Sequence, residues 1–155
     1  ITKMTGAGND FVMIDKREGK FAMEWNRVAI TLCNRHYGIG ADGLIVIERS
    51  DKTDFRMNYF NADGSYGGMC GNGGRCSAMF ALISSDKSQV RFEALGHIYH
   101  AREEHGTITL SMKNPVDLRL LKEIEIEEHQ FPYHFDCLCF YRRLICSTPS
   151  FIFCH

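Results

Sequence analysis

Cys70 stands in the run Met69-Cys70-Gly71-Asn72-Gly73-Gly74-Arg75-Cys76, a thiol set among glycines ahead of an apolar stretch. If that stretch is a helix, the thiol lies at its start. Unpaired backbone N–H groups and the positive helix end there favour thiolate over thiol, which suits Cys70 as a base or nucleophile. The same N–H groups can hold a carboxylate. The plainer reading makes the glycines a turn and Cys70 a small buried apolar residue, and spacing alone leaves both open. Two further glycine clusters, residues 6–10 and 37–43, flank the first strand and follow the first helix. Neither has the strand-then-helix order of a dinucleotide fingerprint, and no Walker A loop is present. Asn9, Asn61 and Asn72 sit in or beside these loops. Amides both donate and accept, so the three could converge on one zwitterionic ligand; ordinary turn chemistry also places Asn beside Gly. Cys33 and Cys76 fall in apolar helical patterns and read as core.

Periodicity supplies the elements that must position these groups. Residues 10–16 carry Phe11, Val12, Met13 and Ile14 and read as a buried strand that starts the sheet. In residues 24–36, Trp25, Val28, Ala29 and Leu32 recur at helical spacing. Residues 44–48 and 54–60 read as strands, residues 64–74 as a glycine-rich loop, and residues 75–83 as a compact helix. Strands at 89–95, 97–102 and 107–112, broken at Gly96 and Glu104-His105-Gly106, complete the pattern. Mixed strands with two helices give an α+β fold rather than a doubly wound parallel one.

Composition sets the outer limits. At 155 residues, with 45% apolar and 24% charged residues, the chain reads as globular, with one core, or one core and a short appendage. A net charge of -1 and the lack of a basic run argue against a nucleic-acid partner. No apolar run reaches the roughly 18 residues of a membrane span, and no secretory pattern is visible, so the expected compartment is the cytoplasm. Seven cysteines are an odd number, unevenly spread, and read as reduced thiols rather than a disulfide framework.

Four ordered motifs closely resemble the N-terminal half of the diaminopimelate epimerase family, over about residues 1–117. They are residues 3–12 (Lys3 to Val12), Asn34-Arg35 with residues 38–43 (Gly38 to Gly43), residues 61–65 (Asn61 to Ser65), and Cys70-Gly71-Asn72-Gly73 with Arg75-Cys76. The resemblance implies a mixed, curved sheet, a half-barrel, wrapped around the 75–83 helix with the 24–36 helix outside. It implies inversion of one α-carbon of LL-diaminopimelate to the meso form, for lysine and peptidoglycan synthesis, with no cofactor and no metal. Two cysteines share that task in the family, one removing the α-proton and one returning a proton from the opposite face. Cys70 matches the first of them. Asn9, Asn61, Gly71 and Asn72 match substrate-contact positions, Gly71 and Asn72 through their backbone amides.

Three departures stand out. Gly43 occupies a position where many members carry a Gln, Thr5 replaces a common His, and no second cysteine motif follows residue 117. The implied organisation is a family domain at residues 1–117 and a divergent tail at residues 118–155. The tail admits three readings: a truncated or frameshifted remnant of the second domain, a natural short relative, or a zinc site built from Cys137, Cys139, Cys146, Cys154 and His155. Three functional readings follow. The chain is the epimerase with a small-molecule substrate, or a catalytically incomplete half-domain or binding remnant. In the third, a homodimer pairs two copies so that Cys70 of one completes the site of the other.

Overall fold

The computed structural model describes residues 1–19, 22–83 and 85–113, together with the short strand Phe153–Cys154. In chain order the elements are β1 (Thr2–Gly6), β2 (Asn9–Asp15), α1 (Trp25–Cys33), β3 (Gly43–Glu48), β4 (Phe55–Asn61) and β5 (Tyr66–Gly68). There follow α2 (Gly71–Ile83), β6 (Gln89–Ala94), β7 (His97–Glu104), β8 (Thr107–Ser111) and β9 (Phe153–Cys154). The strands form one mixed sheet in the order β8-β7-β6-β4-β3-β2-β1-β9, with β5 paired to β4. The β2–β3 and β4–β6 pairs are parallel, while β1–β2, β3–β4, β6–β7 and β7–β8 are antiparallel.

The middle strands are buried on both faces, which explains their nearly continuous apolar sequences. Phe11, Met13, Ile45 and Ile47 point into a core shared with Cys76, Ala78 and Leu82 of α2. Val12, Leu44 and Val46, the alternate residues, join Ala29 and Cys33 of α1 in a second core. The two helices therefore lie on opposite faces of β2 and β3. Helix α2 touches β1, β2, β3, β4, β6, β7 and β8. Seven strands at about 4.8 Å spacing would span about 29 Å if flat, against a helix diameter of about 10 Å. The sheet meets α2 from both ends because it curls. Small residues permit the close approach: a Cβ at Gly73 would come within 2.9 Å of Ile45 Cδ1, and one at Gly74 within 2.8 Å of Met69 Cε.

Three elements differ from the periodicity reading. The sheet starts at β1, not β2, and Gly6-Ala7-Gly8-Asn9 is the turn between them, with Ala7 and Gly8 at φ 47° and 87°. Such two-residue turns need positive φ at both central positions, and glycine supplies only one of them without strain. The stretch 64–74 is not loop throughout, because it contains β5 and the first turn of α2. Tertiary packing on small residues outweighs the poor helix propensity of Gly71, Gly73 and Gly74. The breaks at 95–96 and 105–106 are hairpin turns with positive φ, as the spacing predicts.

Candidate active site

Cys70 is the residue immediately before α2, and its carbonyl accepts a hydrogen bond from Gly74 N–H at 2.7 Å. Its Sγ accepts one from Gly73 N–H at 3.4 Å. Cys70 is thus the N-cap, with sulfur where Ser or Asp usually places oxygen. The thiol is half-buried, at the rim of the core that α2 shares with the sheet. The N–H groups of Gly71 and Asn72 point out of the first helical turn, where no intrahelical acceptor exists for them. They and the Cys70 sulfur occupy one helix end.

The first two glycine loops converge on that end through a chain of side chains. Asn72 Nδ2 donates to Asn9 Oδ1 at 2.8 Å, bridging 63 positions of sequence. Asn9 Nδ2 donates to Asp42 Oδ2 at 3.1 Å, and the same oxygen accepts Asp10 N–H at 3.0 Å. Asp42 and Asp10 share Arg35, at 2.8 and 2.7 Å, and Asp10 also pairs with Lys3 at 3.0 Å. Burial alone would raise the Asp10 carboxyl, but the hydrogen bonds and charges of Arg35 and Lys3 prevail and hold it well below the usual carboxylate range. The network anchors Asn9 at the start of β2.

Asn61 is held separately. Its Oδ1 accepts the Tyr59 hydroxyl at 2.8 Å and its Nδ2 donates to Ser65 Oγ at 2.9 Å. Among the described residues it shares no hydrogen bond with Asn9 or Asn72, although Asn61 pairs with Gly43 across β3–β4, next to Asp42. The Tyr59 phenol is pushed up to about 12, by burial first and then by Cys70 and Asp42 nearby. Its ring fills a slot between two glycines: a Cβ on Gly43 would lie 2.4 Å from Cε2, and one on Gly67 2.4 Å from Cδ1 and Cε1. Gly43 therefore has no room for a longer side chain such as Gln.

Cys70, Gly71, Asn72 and Asn9 thus come together, and Asn61 stands on β4, with β3 between it and Asn9. Cys33 and Cys76 are buried, and burial pushes the Cys33 thiol up to about 11. Both lie in the cores, as their spacing suggests. Asp42, Tyr59 and Arg75 are parts of the site that the sequence reading passes over. Asp42 lies inside the glycine cluster at residues 37–43, but nothing in the sequence ties it to Asn9. Arg75, 1% exposed, donates through Nη2 to Asn72 Oδ1. A groove of about 830 Å³ lies elsewhere, at β6–β8, lined by Lys87, Arg91, His100 and Arg102 among others, and contains none of these residues. No helix among the described residues is long and apolar enough to cross a membrane. Of the zinc set in the tail, Cys154 belongs to β9, and Cys137, Cys139, Cys146 and His155 lie outside the described residues.

Comparison with known proteins places the arrangement. The family model described as "Diaminopimelate epimerase" matches residues 1–117. The diaminopimelate epimerase of Chlorobaculum tepidum is 48% identical over 120 residues, covering 75% of this chain and 46% of its own length. That of Flavobacterium psychrophilum is 40% identical over 134 residues, covering 85% and 52%. The chain spans about half the length of the curated relatives it matches. Among solved structures, a Bacillus anthracis phenazine biosynthesis protein of the PhzF family has TM-score 0.52 at 23% identity, covering 67% of this chain and 35% of its own. One from Enterococcus faecalis has TM-score 0.54 at 13% identity, covering 74% and 42%. At those identities the likeness is one of fold. With its family match running from the β1–β2 hairpin through the Cys70 helix to β8, the chain belongs to the diaminopimelate epimerase family.

Proposed function

We propose that this chain carries one half of a diaminopimelate epimerase site, with Cys70 as one of its two acid/base groups. The observation that carries this reading is the Cys70 sulfur at the N-cap of α2, beside the outward N–H groups of Gly71 and Asn72. A substrate carboxylate on those N–H groups would set the neighbouring Cα–H against the sulfur. The Cα–H bond breaks, its proton passes to Sγ, and the carbanion's charge spreads into the carboxylate, where the helix end stabilises it. Asn9, Asn61 and the Asn72 side chain are the polar contacts for the rest of the zwitterion. A proton returned to the opposite face completes inversion and needs a second acid.

A second reading, a half-domain that abstracts but does not invert, is favoured by one fact: of Cys33, Cys70 and Cys76, Cys70 alone lies in the polar cluster, since the other two are buried. The domain is assigned to residues 1–117, its sheet forming the half-barrel with α2 inside, and residues 118–155 to the divergent tail. A homodimer that brings two Cys70 sites together is the route by which the chain alone could invert, and light scattering would show it. Free thiols at Cys33, Cys70 and Cys76 suit the cytoplasm.

The test is proton NMR of the full chain with LL- and meso-diaminopimelate in deuterated water, with Cys70→Ala as control. Interconversion lost in the variant supports a complete site. Loss of the α-proton signal without interconversion supports the half-site, and no Cys70-dependent exchange refutes the acid/base role.

A further inference from the structure

Arg75 is a charged side chain with almost no solvent and, among the described residues, almost no partners. It is 1% exposed, no ion pair reaches it among them, and its Nε and Nη1 find no acceptor there. Its one hydrogen bond among the described residues runs from Nη2 to Asn72 Oδ1. Burying a guanidinium so poorly matched is costly, and an apolar side chain would fill the space at less cost. A function beyond volume is required.

We propose that Arg75 is a positioning residue that fixes the direction of the amide chain at the helix end. A carboxamide can turn its oxygen and nitrogen about with little change in shape, so an unconstrained Asn offers a ligand either a donor or an acceptor. A guanidinium only donates. Asn72 must therefore turn Oδ1 toward Arg75, which turns Nδ2 toward Asn9 Oδ1, at 2.8 Å. That in turn directs Asn9 Nδ2 to Asp42 Oδ2, at 3.1 Å. An ionised carboxylate only accepts, so the far end enforces the same sense, and Asp42 is itself held by Arg35 and the Asp10 N–H. Donor-only and acceptor-only groups at opposite ends leave one orientation for both amides. Each keeps one spare N–H and one spare lone pair in a fixed direction. The charge contributes as well: Nη1 lies 4.0 Å from where a Cβ on Gly71 would stand, adding positive potential to a helix end already suited to an anion.

This rests on the reading that Asn9 and Asn72 face the substrate, but its first readout does not. Side-chain amide resonances of Asn9 and Asn72 are followed in the 15N-labelled full chain without ligand, for wild type, Arg75→Met, Arg75→Lys and Asp42→Asn. In Arg75→Met both amides are expected to shift, Asn72 most, while backbone signals of β3 and β7 stay in place. In Asp42→Asn the order reverses, Asn9 moving most and Asn72 following. An unmoved Asn9 in Arg75→Met overturns the proposal. If Arg75→Met does not fold, an unmoved Asn72 in Asp42→Asn overturns it. The second readout is α-proton exchange on diaminopimelate. Arg75→Met is expected to lose about tenfold or more in kcat/KM, mostly in KM, the scale of a hydrogen bond to a charged group, with partial recovery in Arg75→Lys. A wild-type chain that exchanges nothing counts against the proposed function and leaves the amide coupling to be decided by the first readout. Full exchange by Arg75→Met overturns the positioning role.

Discussion

Replacing Gly43 by Ala adds a single methyl group at the point where the sheet meets the site. The methyl carbon would sit 2.4 Å from Tyr59 Cε2 and 2.6 Å from the Phe60 carbonyl oxygen, both far inside van der Waals contact. Neither neighbour yields easily. The carbonyl belongs to the β3–β4 ladder, and the opposite edge of the ring lies against Gly67, where a Cβ would also come within 2.4 Å. The conformation of Gly43 is ordinary for a strand, so alanine even gains about 0.5 to 1 kcal/mol over glycine in backbone terms. Overpacking of a closed core costs about 1 to 3 kcal/mol, and two such contacts on rigid groups belong at the upper end. The net expectation is destabilisation by about 2 kcal/mol, a shift of about 1 M in the urea midpoint at a typical slope. Because the displaced ring carries the hydroxyl that Asn61 accepts, the Asn61 side-chain amide should move as well. Removing the ring in Gly43→Ala/Tyr59→Val should lower the cost of the glycine substitution in a double-mutant cycle, leaving the share that comes from the Phe60 carbonyl. A Gly43→Ala chain as stable as wild type would refute the slot.

Cys70→Ser should keep the helix cap and Cys70→Ala should lose it, so the Ser variant is expected to be more stable by about 1 kcal/mol in thermal melts, while both lose α-proton exchange. Asp10 contributes stability that is fully present above its unfolded value of about 3.9 and is lost as pH falls through its depressed folded value. The gap between wild type and Asp10→Asn in urea midpoint should therefore be largest near neutrality and close below about pH 4; a gap independent of pH would contradict this. With its thiol pushed up to about 11 by burial, Cys33 should resist iodoacetamide at pH 8 until denaturant is added, with mass mapping reporting each thiol.

Much of the fold was legible because the sheet's central strands state their burial plainly. Alternation of Phe11 and Met13 against Val12, and of Ile45 and Ile47 against Leu44 and Val46, needs two covering layers, and two helical patterns were there to provide them. Strand β5 was not legible, because Tyr66-Gly67-Gly68 has no period and exists by pairing with β4. The start of α2 was hidden for a related reason: glycine is a poor helix former, and only the closeness of Ile45 and Met69 explains why it is there. At the site, Cys70, Asn9 and Asn72 could be read from type and motif. Arg75, Asp42 and Tyr59 could not, since their roles depend on partners brought from other elements by the fold.

The placement of α1 and α2 on opposite faces of β2 and β3 also bears on the order in which the molecule assembles. Strand β2, α1 and β3 make a parallel βαβ unit within residues 9–48 and bury Ala29 and Cys33 mostly among themselves, with Phe60 of β4 and Ala62 added at the edge. Helix α2 has no such local layer, because its partners run from β1 to β8, and the Asn72–Asn9 bond closes a span of 63 residues. Loop closure over such distances comes late. Ligand competence would then be the last property acquired during folding, and a chain caught with only its α1 layer formed would hold native strands and no site. Pulse-labelled hydrogen exchange would show this as protection of Val12 and Val46 ahead of Ala78 and Leu110.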